Sequence, residues 1–254
     1  MDPLTELALR VNQENLALGN EVRAIRGGRL IRNREFPILW DANHVDTITA
    51  STPEEVDGLL DLASRELSHA SVLRFDVDNR TPAAFEARLI LEGFGCETAL
   101  VSILEGDLLG RAPVVDIRVV QTDADWDTFA ALKGLDWEGE RDVGVAMAAH
   151  KRGKTSHARY WFAWEDGAPR GFLSSWEGIE GVGQVEDLFV EPGYRNRGLA
   201  TALLHNAVAD CREHGAEAIV IVAAAAETPK QIYARMGWRP IATKREYRRA
   251  FPGG

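Results

Sequence analysis

Apolar residues recur along the chain at two spacings, one typical of helices and the other of strands. Leu7 and Val11 follow the helical spacing, which predicts an amphipathic helix over residues 3–18. The run Thr52-Pro53-Glu54-Glu55 is typical of a helix start, because Thr52 can cap the helix, proline suits its first position and Glu55 completes a capping box. This second helix is predicted to end at about Leu67.

The remaining pattern predicts a chain in which strands and helices alternate. Helices are predicted at residues 82–92, 125–137, 197–214 and 229–237, with a helix and a loop within 139–157. Strands are predicted at residues 38–40, 47–49, 71–77, 96–104, 114–120, 160–165, 170–176, 182–190, 218–224, 238–243 and 245–250. This mixture indicates an α/β fold.

An order of elements occurs twice, on either side of Gly106–Pro113, the best candidate for a linker. Each half has a strand, a helix, a strand, a helix opened by Thr-Pro, a glycine followed by an aromatic residue, and a strand. This predicts two copies of one fold in tandem, at residues 1–108 and 113–254, although a chance likeness of common α/β pieces is the alternative. The first copy has little room before residue 35 for the antiparallel hairpins of the second.

Composition narrows the class of protein. The chain has 254 residues, of which 45% are hydrophobic and 27% charged, as in ordinary globular proteins, and its net charge of -10 argues against general nucleic-acid binding. Its 2 cysteines have no metal-like spacing, and no residue cluster suggests a metal. With neither a signal-peptide pattern nor an apolar run long enough to cross a membrane, the sequence predicts a cytoplasmic protein without a membrane partner.

An arginine-rich stretch stands out against this acidic background. It contains Arg23, Arg26, Arg29, Arg32 and Arg34. It is interpreted as a solvated surface or as an interface with the acidic remainder of the chain, with an anion site as the alternative.

The strongest chemical signal lies where the strand that ends at Val190 turns into the next helix. The turn and helix start read Arg195-Asn196-Arg197-Gly198-Leu199-Ala200. A helix N-terminus offers unpaired N–H groups, small residues admit a pyrophosphate, and arginines add forked donors. The segment therefore predicts a phosphate site, with an ordinary exposed helix start as the alternative.

These residues resemble the main motif of the GCN5-related N-acetyltransferase (GNAT) family, Arg/Gln-x-x-Gly-x-Gly/Ala after a strand and a loop. A second family motif, a tyrosine four residues before Gly-aromatic, is matched by Tyr233 and Gly237-Trp238. The resemblance covers about residues 113–250, and the first half only in outline. It implies a mixed, mostly antiparallel central sheet flanked by helices, here in two tandem copies, of which the N-terminal one is degenerate.

The resemblance also implies an activity, with acetyl-CoA as co-substrate. A small-molecule or peptide amine would attack it directly in a ternary complex. The CoA pyrophosphate would be bound by Arg195, Asn196, Arg197, Gly198, Leu199, Ala200 and Thr201, and the pantetheine arm by the main chain of Leu188, Phe189 and Val190. A non-catalytic CoA-binding sensor is the alternative function, and a homodimer is possible.

Two side chains are predicted to move protons. Tyr233 lies where the family keeps the acid that protonates the leaving thiolate, and its alternative role is packing. Glu186, on the strand face that points to the acceptor in the family, is predicted to be the base through a water, and its alternative role is an ion pair. Strand alternation would place Asp187 on the opposite face.

The chain departs from the family at two places. The asparagine that many members carry before the tyrosine helix is missing, so Thr228 or Lys230 would replace it. In the first half, the helix after Asp46 begins with Glu54 and Glu55, which would repel a pyrophosphate. The first copy is therefore predicted not to bind CoA.

Overall fold

The computed structural model describes residues 1–137, 139–226 and 229–251, and only the backbone of Pro229 and Lys230. In chain order, the helices and strands are α1 (Pro3–Ala17), β1 (Glu21–Ile25), β2 (Gly28–Arg32), β3 (His44–Asp46), α2 (Pro53–Glu66), β4 (Val72–Val77), α3 (Ala83–Leu91), β5 (Gly95–Glu105), β6 (Asp116–Val119), α4 (Asp123–Asp136), α5 (Arg141–Arg152), β7 (Ala158–Glu165), β8 (Ala168–Ile179), β9 (Val182–Val190), α6 (Leu199–Glu213), β10 (Ala218–Ala224), α7 (Pro229–Arg235) and β11 (Arg239–Ala250). None of the helices in the described part of the chain is long and apolar enough to cross a membrane.

The chain divides into two compact units that are interleaved along the sequence. Unit 1 contains Met1–Asn15, Ser102–Val222 and Gln231–Pro240. Unit 2 contains Leu16–Val101, Ala223–Lys230 and the chain from Ile241 onward. Each unit therefore takes segments from both halves of the chain.

Unit 1 is built on a mostly antiparallel sheet with helices on both faces. Its strand order is β10-β9-β8-β7-β6, in which only the β9–β10 pair is parallel. Phe129 of α4 packs on Phe172 of β8, with ring centroids 4.8 Å apart. On the other face of β8, the hydroxyl of Ser175 donates to Asp210 of α6 at 2.5 Å. The two faces alternate along β8, as strand geometry requires.

Unit 2 has the strand order β1-β2-β3-β4-β11-β5. The β1–β2 and β2–β3 pairs are antiparallel and the β3–β4 pair is parallel, which repeats the sequence of pairings from β7 to β10 in unit 1. Its apolar core joins α2 and α3 to the sheet, and includes Leu59, Phe75, Phe85 and Tyr247. Tyr247 comes from β11, so the last strand of the chain completes this core.

The structure confirms the predicted fold class, a mixed α/β fold with a mostly antiparallel sheet flanked by helices. The capping box at the start of α2 is also present, with Thr52 and Glu55 bonded to each other's backbone N–H. The parallel pairing of β3 with β4 supports the tandem arrangement. The domain boundaries at 108 and 113 stay a prediction.

Two expectations for the first half are wrong. The strand predicted at 38–40 is absent, and the first strand of the parallel pair is β3, whose Asp46 is fully buried by a bidentate ion pair with Arg29. Because the ion pair compensates the buried charge of Asp46, this strand can be buried without an apolar pattern in its sequence. The arginine-rich stretch, for which no hairpin was expected, forms the hairpin β1–β2, and a left-handed Gly27 allows its tight turn.

The arginines of this hairpin pair with acidic residues. Arg23 and Arg32 both contact Glu66 of α2, at 2.6 Å each. Of the interpretations left open by the sequence, these contacts favour an interface with acidic residues. 

Unit 2 also holds a fully buried arginine. Arg74 of β4 pairs with Asp76, Asp41 and Glu246. Burial alone would lower its pKa, but these carboxylates raise the pKa well above its ordinary value, so the residue stays charged. Removing one partner of a buried ion pair leaves an uncompensated charge, which is costly.

We expect Arg74→Met to lower the free energy of unfolding by about 3–5 kcal/mol, because three carboxylates lose their shared cation. The matched control is Arg88→Met, which removes an exposed arginine of the same unit that contacts Asp57 and Glu92. Urea unfolding checks both variants. Equal, small effects of the two substitutions would contradict the prediction.

Candidate active site

The connection from β9 to α6 adopts a backbone that only certain residues allow. After β9 ends at Val190, a single 3-10 turn spans Pro192–Tyr194, and the chain then turns through left-handed conformations at Asn196 (φ 63°) and Gly198 (φ 89°). Asparagine tolerates this region and glycine adopts it freely. A Cβ atom on Gly198 would also lie 3.1 Å from the ring of Pro113. Both conformation and space therefore require the glycine of the motif.

The start of α6 presents backbone N–H groups. The amide of Ala202 donates to the Gly198 carbonyl at 2.9 Å, as the first bond of the helix. The amides of Leu199, Ala200 and Thr201 precede it and have no carbonyl four residues earlier within the helix. In a 15-residue helix these groups lie at the positive end of the dipole, which favours an anion.

Three arginines surround this loop. Arg195 Nε donates to the Val190 carbonyl at 3.1 Å, and Arg197 contacts the Gly193 carbonyl and Glu165, at 3.3 Å each. The guanidinium groups of Arg170 and Arg197 make cation–π contacts with the ring of Tyr194, 4.2 and 4.8 Å from its centroid. The predicted Arg195 and Arg197 thus brace the loop and remain exposed beside it.

Sequence reasoning missed Arg170 as part of this loop. It belongs to β8, and strand pairing brings its neighbour Gly171 opposite Val190. Only the antiparallel register reveals this proximity, because nothing in the local sequence around Arg170 signals it.

Strands β9 and β10 share only a short ladder. Val182–Val185 pair with Ala218–Ile221, and in the described chain the residues of β9 from Glu186 onward lie beyond the last paired position. On its other edge β9 continues to pair with β8, through Phe189 and Val190. The main chain of Leu188, Phe189 and Val190 therefore lies where β9 has left its parallel neighbour.

A β-bulge interrupts β9 at Asp187. Opposite β8, Glu186 pairs with Ser174 and Phe189 with Phe172, so Asp187 and Leu188 together face one residue. Asp187 has a φ of 65°, unusual for a residue other than glycine. The bulge rotates the chain, which makes the expectation that Asp187 points away from Glu186 wrong: both carboxylates contact Lys151.

Two almost fully buried lysines form ion pairs with Asp187 at the bulge. Lys133 Nζ lies 3.0 Å from Asp187 and 2.9 Å from Asp136, and Lys151 Nζ lies 2.5 Å from Asp187. Burial alone would lower the pKa of both lysines, but Asp187 outweighs it and raises both. Conversely, burial would raise the pKa of Asp187, while Lys133 and Lys151 lower it well below its ordinary value.

The sequence did contain a signal for these lysines. Lys133 follows Phe129 by four positions in α4, and Lys151 follows Met147 by four positions in α5, so both continue the buried stripe of an amphipathic helix. A lysine on such a stripe indicates a buried charge that needs a carboxylate partner.

Glu186, the predicted base, is held at both carboxylate oxygens. Its Oε1 lies 3.0 Å from Lys151 Nζ, and its Oε2 accepts a bond from Gln184 Nε2 at 3.2 Å. Its side chain is 22% exposed, against 7% for Lys151. The ion pair that the sequence left open for Glu186 is present, and a role as base stays a prediction.

Tyr233, the predicted acid, is buried in α7. Its ring meets that of Trp238 edge-on, with centroids 5.8 Å apart, and its carbonyl accepts from the Trp238 amide at 3.0 Å. The Trp238 indole in turn donates to the Ile219 carbonyl of β10 at 3.3 Å. The Gly-aromatic turn thus fixes α7 against the sheet of unit 1. Thr228 and the side chain of Lys230, the candidate replacements for the missing asparagine, lie outside the described residues.

A parallel strand pair parts before a left-handed loop and a helix start, and an anchored tyrosine helix follows, which is the arrangement that the resemblance to the GNAT family implied. Residues 124–238 match the model of the acetyltransferase (GNAT) family. This part of the chain is therefore similar to a GNAT acetyltransferase domain. The match includes each predicted site residue, from Glu186 to Tyr233.

Solved structures share the fold across the chain. A GCN5-related N-acetyltransferase from Kribbella flavida is 18% identical, with a TM-score of 0.74, and the match covers 100% of this chain and 97% of that one. A tandem GNAT protein from the clavulanic acid biosynthesis pathway is 14% identical, with a TM-score of 0.60 and coverage of 89% and 79%. A GNAT-family protein from Novosphingobium aromaticivorans is 16% identical, with a TM-score of 0.56 and coverage of 98% of both chains. No curated protein sequence matches the chain.

The lowered pKa of Asp187 predicts how acid affects stability. A carboxyl group whose pKa is lower in the folded state stabilises the fold above its unfolded pKa, and this contribution is lost as the pH falls through the folded value. We expect Asp187→Asn to cost about 3–5 kcal/mol at pH 7, because two buried lysines lose their shared counter-ion. The difference from the original protein should shrink as the pH falls below about 4.

Urea unfolding over a pH series measures this difference. Asp107→Asn, which changes an exposed carboxylate of the linker, is the control and should show no such loss. A cost for Asp187→Asn that stays constant from about pH 7 to about pH 2.5 would contradict the prediction.

Proposed function

We propose that this protein is an acetyl-CoA-dependent N-acetyltransferase that transfers the acetyl group directly to an amine in a ternary complex. The proposal is carried by the course of β9, which leaves β10 after Val185 and enters the left-handed loop at the start of α6. A pantetheine arm could add to the free stretch of β9 as a strand does, and the pyrophosphate would then meet the helix start.

The chemistry of the donors in the loop fits CoA. The residues that would bind its pyrophosphate are Arg195, Asn196, Arg197, Gly198, Leu199, Ala200 and Thr201. Their contribution is N–H groups at a helix start and two guanidinium groups, the donors that phosphate oxygens accept best. The main chain of Leu188, Phe189 and Val190 would bind the pantetheine arm.

Glu186 and Tyr233 would carry the proton transfers. An ammonium must lose a proton before it attacks the thioester carbon, and Glu186, which is partly exposed, would accept that proton through a water. When the C–S bond breaks, the Tyr233 hydroxyl would donate a proton to the thiolate of CoA, and the second proton that the nitrogen loses would restore the tyrosine. The products are the N-acetylated amine and free CoA, and the acceptor would be a small-molecule or peptide amine in the cytoplasm.

The first half of the chain supports the proposal by contrast. At the start of α2 the capping box already satisfies the Glu55 amide through Thr52, and the Glu55 carboxylate turns back onto the amides of Ser51 and Thr52. A helix start that bonds its own side chains and carries two acids would not attract a pyrophosphate. We infer that CoA binds only through unit 1.

Replacing Gly198 should weaken CoA binding. Gly198→Ala imposes a Cβ on a left-handed backbone and against Pro113, so the loop must change shape. We expect the Kd for CoA, measured by calorimetry, to rise at least ~10-fold. The control is Gly193→Ala in the same turn, where a Cβ meets no atom within 4 Å. Equal affinities for the two variants would argue against this loop as the CoA site.

Removing the Tyr233 hydroxyl should slow acetyl transfer. Tyr233→Phe keeps the ring against Trp238 but removes the proton donor, so we expect kcat to fall about 100-fold while the Kd for CoA stays unchanged. Tyr194→Phe, which retains the ring between Arg170 and Arg197, serves as control. The assay measures release of CoA from acetyl-CoA with a panel of primary amines. An unchanged rate and pH profile would remove Tyr233 from the mechanism.

The same assay tests the function itself. Turnover with at least one amine supports the transferase. Stabilisation of the fold by CoA without turnover on any amine would instead favour a CoA-binding sensor.

A further inference from the structure

We propose that Lys151 is a positioning residue that holds the Glu186 carboxylate oriented for proton transfer, with Asp187 fixing the lysine in place. This inference rests on the proposed function, in which Glu186 is the base. It adds a residue outside the loop motif and the tyrosine motif, because Lys151 lies on α5, away from both.

The contacts of Lys151 show how one cation can serve two carboxylates. Its Nζ lies 3.0 Å from Glu186 Oε1 and 2.5 Å from Asp187 Oδ2. A regular strand would place these two neighbours on opposite faces, so only the bulge at Asp187 allows the shared contact. Lys151 is buried, and its raised pKa keeps it charged. A buried charged lysine must keep its carboxylate partners, so these contacts fix its position.

Gln184 supplies the second point of attachment. Its Nε2 donates to Glu186 Oε2 at 3.2 Å, while its own side chain is almost fully buried. Both oxygens of Glu186 therefore have one fixed donor. Each carboxylate oxygen can accept a second bond, which leaves room for the water or amine that delivers the proton.

The charges of the cluster explain why the lysine does not disable the base. Two lysines, Lys133 and Lys151, face the three carboxylates of Asp136, Glu186 and Asp187, so the cluster keeps one net negative charge. Asp187 contacts both lysines, whereas Glu186 contacts Lys151 but not Lys133. The excess negative charge thus remains with the carboxylates and favours an approaching ammonium.

Lys151→Met tests the proposal, because methionine keeps the buried chain and removes the charge. We expect kcat to fall about 10- to 100-fold, because Glu186 Oε1 loses the donor 3.0 Å away that positions it, with little change in the KM for acetyl-CoA. Lys151→Arg keeps a cation beside Glu186 and should restore most of kcat.

The matched control is Lys133→Met, which removes an equally buried lysine that contacts Asp187 and Asp136 but not Glu186. It should destabilise the fold yet lower kcat less than Lys151→Met does. Equal losses of kcat in the two variants, or no loss in Lys151→Met, would overturn the proposal.

A readout without turnover separates this inference from the proposed function. In protein with 13C-labelled glutamate, Glu186→Gln identifies the carboxyl resonance of Glu186. At neutral pH, the chemical shift of that resonance should change more in Lys151→Met than in Lys133→Met, because only Lys151 contacts Glu186 Oε1. If the original protein acetylates no amine, the proposed function fails, and this chemical shift alone decides whether Lys151 positions Glu186. If Lys151→Met does not fold, the resonance in Lys151→Arg should lie close to its position in the original protein, and a displaced resonance would overturn the proposal.

Discussion

The site depends on one arrangement, the bulge of β9 at Asp187 and the two buried lysines that neutralise it. A left-handed aspartate in the middle of a sheet is unfavourable by itself, and a buried carboxylate is more so. The ion pairs with Lys133 and Lys151 offset this cost, because they compensate the buried charges of both the lysines and Asp187. The same bulge lies where β9 leaves its ladder with β10, so the ion pairs and the opening of the sheet share one location.

The fold was largely predictable because, in most helices and strands, apolar residues recur at the spacing typical of that element. The strand of residues 218–224 and the helix of residues 3–17 have the expected places, since apolar residues recur at strand or helix spacing along them. The elements that were missed are polar. Asp46 on β3 is buried by Arg29, and the hairpin β1–β2 carries arginines that pair with Glu66 and Glu21. Hydrophobic patterns cannot find a strand whose burial depends on ion pairs.

Within the candidate site, the loop around Gly198 was predictable from the sequence, whereas the surroundings of Glu186 were not. The loop around Gly198 could be located because a phosphate-type turn needs small residues at fixed positions, and the left-handed glycine shows why. The surroundings of Glu186 could not, because strand alternation assumes a regular strand and the bulge breaks it. Lys151 is 35 positions from Glu186 in the sequence, and only tertiary structure brings them together.

The interleaving of the two compact units has a consequence for how the chain acquires its structure. Unit 1 includes the first 15 residues and also Gln231–Pro240, while unit 2 receives β11 from the very end of the chain. Completing unit 1 requires residues as far as Pro240, and completing unit 2 requires β11, so in both units the closing contacts span most of the sequence. Such non-local closure slows folding. A cut in the linker between Gly106 and Pro113 would therefore yield two fragments that each lack part of a unit.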